Sequence, residues 1–176
     1  MKTSYALTFV SKDRSGIVAD VAKVLLDNGF NIADSSSTLL QGVFSMILLV
    51  EHEHVYTEGE LKSLFDSEKL SPSVYIMDTS VKRTDRYDGQ YVVSVYGADK
   101  PGIVHSISST LANMGINIVD LQTQTTGIPP KEVYIMVLEL LVPPAAEEND
   151  WISAVKDKAI MIGTDITIRK LETYEL

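Results

Sequence analysis

At 176 residues, 45% apolar and 22% charged with a formal net charge of −9, the chain has the make-up of an ordinary globular protein rather than a disordered one. Residues 1–88 hold nine Lys/Arg against thirteen Asp/Glu and residues 89–176 six against eleven, so no basic face offers itself to a phosphate backbone and direct nucleic-acid binding is disfavoured. Cysteine is absent, which excludes disulfides, thiolate metal sites and cysteine nucleophiles.

In chain order, Tyr5 to Phe9 alternates with Tyr5, Leu7 and Phe9 on one face, the period of a half-buried strand. Beyond Asp13-Arg14-Ser15-Gly16 the period changes, and Ile17, Val18, Val21, Val24 and Leu25 form a helical stripe that Gly29 ends. Asn31 to Thr38 is extended, Gln41-Gly42 is a tight turn, and Val43 to Glu51 is strongly β-forming. Thr57-Glu58-Gly59-Glu60 is a capping box ahead of Leu61, Leu64 and Phe65, and Ser73 to Val81 supplies a fourth strand. The polar run Lys82 to Gly89 lacks an apolar pattern and reads as a linker.

The order then repeats as Gln90 to Gly97, Pro101 to Met114, Ile118 to Thr126, Val133 to Leu141, Glu147 to Ile160 and Thr164 to Leu171. A shift of 86 residues lays Tyr5–Asp34 onto Tyr91–Asp120 with ten identities in thirty positions, among them Tyr5/Tyr91, Asp13/Asp99, Gly16/Gly102, Gly29/Gly115 and Asn31/Asn117. The expected organisation is two domains, 1–82 and 90–176, joined by 83–89. The fold class is α+β: two ferredoxin-like βαββαβ domains, each an antiparallel four-stranded sheet with two helices on one face. The halves differ between their second and third strands, where the Gln41-Gly42 turn is replaced by a longer connection, Gly127 to Lys131, four residues having been added there. Domains this small bury a modest core, so the halves are expected to lean on each other or on a second chain, and a homo-oligomer is expected.

Both copies share Asp-x-x-Gly running from a strand into a helix, Asp13-Arg14-Ser15-Gly16 and Asp99-Lys100-Pro101-Gly102. Free N–H groups and the positive end of the helix dipole meet there, which suits a carboxylate. Gly16 and Gly102 let a ligand approach the backbone, and Asn31 and Asn117, fifteen residues on, add amides able to read an amino acid's charged groups. On the plainer reading Asp13 and Asp99 are N-caps, Pro101 belongs to the first helical turn, and Asn31 and Asn117 are left-handed turn residues.

Asp-x-Pro-Gly-Ile-Val followed by Gly-x-Asn-Ile in a βαββαβ frame resembles the ACT domain, a small-molecule sensor attached to many amino-acid enzymes. Two such domains cover essentially the whole chain. Their tandem arrangement without an attached enzyme, with Asn31-Ile32-x-Asp34-Ser35, Leu40-x-Gly42-x-Phe44-Ser45-Met46-Ile47 and the loop Gly127–Lys131, resembles the glycine cleavage system transcriptional repressor family. That resemblance implies a non-enzymatic regulator of amino-acid metabolism. It would bind glycine or serine at an ACT–ACT interface and act on a protein partner such as a transcription activator. The ligand-binding residues it implies are Asp13, Arg14, Ser15, Gly16 and Asn31 with Asp99, Lys100, Pro101, Gly102 and Asn117. Ser15 stands where the pattern has Pro, so the two sites need not be equivalent.

No nucleophile–base pair, Gly-x-Ser-x-Gly or phosphate-binding glycine loop with Lys and Ser/Thr is present, so no catalytic residue, cofactor or metal is expected. His52 and His54 are spaced to share a strand face but lack a third ligand nearby in sequence, and read as an exposed strand end; His105, near the second turn, is placed to contact a ligand carboxylate, though a solitary polar helix residue is more often simply exposed. Ser35 to Thr38 is unusually polar for a strand and suits a wet interface between copies. Trp151 reads as a packing residue and Glu147 to Asp150 as an exposed helix start. The longest apolar run, around Met46 to Val50, is too short to span a bilayer and no leader pattern opens the sequence, so a cytoplasmic location is expected. The competing readings are a non-sensing interaction module and a regulatory subunit of an amino-acid enzyme. A ferredoxin-like RNA binder would need exposed aromatics in basic surroundings, which the charge opposes.

Overall fold

In each half the first strand becomes the middle of its sheet, because its alternating apolar side chains need cover from helices while its backbone needs partners on both edges. The computed structural model describes residues 2–68, 70–77, 89–128 and 132–171, which fall into two units, Met1–Arg83 and Thr84–Leu176. Unit one runs β1 (Thr3–Lys12), α1 (Ile17–Asp27), β2 (Asn31–Leu40), β3 (Val43–His52), α2 (Glu58–Ser63) and β4 (Ser73–Ile76), and its sheet has the order β2-β3-β1-β4. Unit two runs β5 (Gly89–Gly97), α3 (Ile103–Asn113), β6 (Asn117–Thr126), β7 (Val133–Val142), α4 (Pro144–Glu147), α5 (Trp151–Met161) and β8 (Thr164–Leu171), in the order β6-β7-β5-β8. Every pairing is antiparallel, so both units are ferredoxin-like βαββαβ sheets.

The inner row of β1, Tyr5, Leu7 and Phe9, packs with Val21 and Leu25 of α1 and with Leu61 and Phe65, and the Phe9 and Phe65 rings meet edge to face at 5.0 Å. In unit two Tyr91, Val93 and Val95 pack with Ile107 and Leu111 of α3 and with Trp151 and Val155 of α5. Each large buried side chain contributes roughly 1.5–3 kcal/mol of transfer free energy. Trp151 is buried, as its place in an apolar helix predicts. The Gln41-Gly42 turn carries positive φ at both residues, 51° and 81°, which matches the twist of a two-residue hairpin.

Three expectations change. The helix expected over 147–160 is two helices, because Asn149 closes α4 through its N–H to Ala146 O and Asp150 starts α5 by accepting the Ser153 N–H. The fourth strand of unit one, expected to Val81, is β4 up to Ile76 with the Met77 N–H still bonding Ser4 O; residues 78–81 lie outside those described, as does the linker save for Gly89, which opens β5. Glu147 does not stand in a free acidic patch. It accepts the Tyr91 hydroxyl at 2.8 and 3.0 Å and the Lys170 ammonium at 3.1 Å, tying α4 to β5 and β8. The repeat partner Tyr5 uses its hydroxyl differently, accepting the Tyr56 N–H at 2.7 Å.

The Tyr91 hydroxyl, and after it Lys170, holds the Glu147 carboxyl below its ordinary value of 4.5. A depressed folded-state value adds stability that is present above the ordinary value and lost as pH falls through the folded one. In urea unfolding followed against pH, wild type should exceed Glu147→Gln near neutrality, and the two should converge below about pH 4.

Candidate functional site

β1 and β5 run out into the two repeated turns, and each turn ends on a left-handed glycine, Gly16 at φ 93° and Gly102 at φ 94°. These glycines take the N-cap positions of α1 and α3 without any side-chain cap. Asp13 and Asp99 are therefore not caps, and Pro101 precedes the cap instead of lying in the first helical turn. Asn31 and Asn117 are extended strand residues, and Gln41 is the one non-glycine residue with positive φ among those described. The plainer capping reading of the motif does not hold. What it leaves is an 11-residue helix in each unit whose first amides meet no capping side chain among the described residues.

The turns are tied to the β2–β3 and β6–β7 hairpins of their sheets. The Asp13 N–H donates to Gly42 O at 2.9 Å, and Asp99 Oδ2 accepts the Thr125 hydroxyl at 3.5 Å. Tyr134 lies across from Thr125, and burial, reinforced by the Asp99 charge, pushes its hydroxyl above the usual tyrosine value. In the first turn the Arg14 guanidinium folds back onto the helix, 2.6 Å from Asp20 Oδ2 and 3.3 Å from Ser15 O. Lys100 takes another course, with its ammonium 3.7 Å from where a Cβ would stand on Gly163.

The asparagines lie elsewhere. Asn31 is level with Glu51 of β3, which is level with Ser4 at the start of β1. Asn117 is level with Leu141, and so with Gln90 at the start of β5. Ser4 and Gln90 each precede the aspartate of their turn by nine residues, so roughly 30 Å of strand separates each turn from its own asparagine. A single unit brings Asp13, Arg14, Ser15 and Gly16 together, or Asp99, Lys100, Pro101 and Gly102, but not Asn31 or Asn117 with them.

The strands that carry the asparagines are unprotected edges. Every residue of β2 is exposed, and all but Ile118 of β6; each strand bulges near its start, at Ile32/Asp34 and Ile118/Asp120. A hollow of about 230 Å³ lies at the first bulge, lined by Asp34, Ser35, Ser36, Ile47 and Leu49, on the sheet face rather than at the turn. At the Asn31 end His52 is not free in solvent. It packs against Phe30 at 4.7 Å and Tyr56 at 5.1 Å and accepts the His54 N–H at 2.8 Å, while His54 and His105 are exposed. Among the described residues no group of three or more potential metal ligands assembles, and no helix is long and apolar enough to cross a membrane. The Arg14–Asp20 and Thr125–Asp99 contacts were not read from the sequence; an acidic residue in the first turn of the helix that follows Arg14 was the available signal.

ACT domain profiles match residues 6–69 and 91–146, about two thirds of the chain between them. A UPF0237 protein of Clostridium perfringens is 31% identical over 86 residues, covering 48% of this chain and 93% of the relative. Another, from Methanocaldococcus jannaschii, is 44% identical over 45 residues, and the chain spans half of its length and 26% of its own. The crystal structure of an unknown protein from Galdieria sulphuraria superposes with a TM-score of 0.81 at 26% identity, covering 98% of this chain and all of that one. A structure provisionally assigned as a glycine cleavage system transcriptional repressor gives 0.75 at 16% identity, covering 98% and 99%, a likeness of fold.

A side chain at a left-handed position costs roughly 1 kcal/mol or more. Gly102→Ala should lower stability by about that much in chemical denaturation. Gly59→Ala, inside α2 with open space around it, should leave it unchanged or raise it by about 0.5–1 kcal/mol.

Proposed function

The chain belongs to the ACT-domain family, and we propose that it is a non-enzymatic regulator that binds a small amino acid, glycine or serine foremost, and acts through contacts with a protein partner such as a transcription factor. The observation that carries this reading is the repetition, in both units, of an uncapped helix start behind a left-handed glycine, with an exposed amide at the opposite end of the same sheet. Backbone N–H groups at a helix start suit the carboxylate of an amino acid, and an asparagine oxygen suits its ammonium.

The separation within a unit becomes a requirement for a second copy of the chain. An exposed edge strand paired antiparallel with its copy about a two-fold axis sets the asparagine end of one against the turn end of the other. The turns are already tied to that far end, through Asp13 to Gly42 and through Asp99 to Thr125. A zwitterion held there touches both chains and favours the paired state by its differential affinity for it. The structural likeness to a provisionally assigned glycine cleavage repressor agrees with glycine as the first ligand to try.

A thermal-shift screen against the twenty amino acids tests this. Glycine or serine should raise the melting temperature by several degrees at saturation. The combined variant Asn31→Ala/Asn117→Ala should abolish the rise without lowering the unliganded midpoint. Mixing Asn31→Ala/Asn117→Ala chains with Arg14→Glu/Lys100→Glu chains should restore part of the response, because the mixed pair keeps complete corners that neither parent has. No response to any amino acid would favour an interaction module without a sensing role.

A further inference from the structure

The two corners present different chemistry to the same ligand, and this inference rests on the sensor reading above. In unit one Asp20 lies in the first turn of α1, where an anion gains most from the helix dipole, and it holds Arg14 at 2.6 Å. Arg14 also donates to Ser15 O, so its guanidinium lies against the turn, 3.7 Å from where a Cβ would stand on Gly16. A ligand carboxylate arriving there competes with a carboxylate of the chain itself, and the cation that would receive it is engaged. The flanking hairpin offers Leu39 and Phe44, which give a polar ligand no hydrogen bond.

Unit two lacks each of these features. The repeat position of Asp20 is Ser106, the first turn of α3 holds no acidic residue, and among the described residues nothing stands within 4 Å of a Cβ placed on Gly102. Lys100 has no carboxylate partner among the described residues; its ammonium rests beside Gly163, ahead of β8, and must swing from there to receive a ligand carboxylate at this corner. Thr125 and Tyr134 replace Leu39 and Phe44, and the Thr125 hydroxyl bonds Asp99 while that of Tyr134 pairs with Thr123. Removing one nearby carboxylate and freeing one cation at a partly solvated site changes affinity for an anion by about tenfold or more.

We infer that the second corner alone takes the amino-acid ligand, one per chain, and that the Arg14–Asp20 pair keeps the first corner occupied from within. Asp20 is then the residue that makes the halves inequivalent, and the first unit serves the assembly without sensing.

Titration calorimetry with glycine, and with serine in parallel, on the full chain tests this. Wild type should bind one ligand per chain. Lys100→Glu should lose binding, and Arg14→Glu should leave it within about twofold. Asp20→Ser should reveal a second, weaker site. Two equal sites in wild type, or one site lost in Arg14→Glu and kept in Lys100→Glu, would overturn the inference while leaving the sensor reading intact. A single site in wild type that stays single in Asp20→Ser would overturn the role given to Asp20. No binding of either ligand to wild type, or to any of the twenty amino acids, would remove the sensor reading and this inference with it.

Discussion

The register of the central strand governs the arrangement of both units. β1 is antiparallel to β3, and β3 to β2, so β1 and β2 point the same way and their starts lie together at one end of the sheet. The Asp-x-x-Gly turn follows the end of β1 and the asparagine opens β2, so ten residues of strand stand between them. No side-chain rotation closes roughly 30 Å. Two groups suited to opposite ends of one small ligand are thus built into each unit at a distance that forbids their joint use within it. On the proposed reading, that constraint makes the exposed edge strand, otherwise a liability, the means by which two incomplete corners would complete each other.

The duplicated frame has been kept while its fittings have diverged. Tyr5 and Tyr91 occupy one position in the repeat, both buried, yet one hydroxyl accepts a backbone N–H from the chain after β3 and the other donates to Glu147 under Lys170. Both solutions satisfy a polar group that burial would otherwise leave unpaired at a cost of about 1–3 kcal/mol. At the opposite end of the sheets the divergence is one of polarity, Leu39 and Phe44 against Thr125 and Tyr134. On the inference drawn above, one responsive corner and one fixed corner per chain would give a simple ligand stoichiometry and leave both edge strands for assembly.

Much of the fold was legible because local signals agreed with tertiary ones. The alternation of Tyr5, Leu7 and Phe9, the stripe from Ile17 to Leu25, the Thr57–Glu60 capping box and the Gln41-Gly42 turn are all where periodicity and turn chemistry place them. The misreadings have physical causes. The stretch from Glu147 to Ile160 has helical composition throughout, and its break is set by one cap, Asp150, which a propensity argument passes over. Asp13 and Asp99 look like caps in sequence because Asp favours that position, but the left-handed glycine three residues later moves the helix start beyond their reach. His52 was misread because the ring of Phe30, distant in sequence, covers it. The residues of each turn were found from their repetition. Their distance from Asn31 and Asn117 was not legible, because strand direction is a property of the assembled sheet and not of any segment.

Sedimentation equilibrium of the full chain, run across a range of concentrations with and without glycine, bears most directly on the claim that each corner needs a second chain. Saturating ligand should strengthen self-association, and dilution to monomer should weaken apparent ligand affinity in step, since linkage makes the two effects reciprocal. Ligand bound with unchanged affinity by a monomer, and without effect on association, would contradict it.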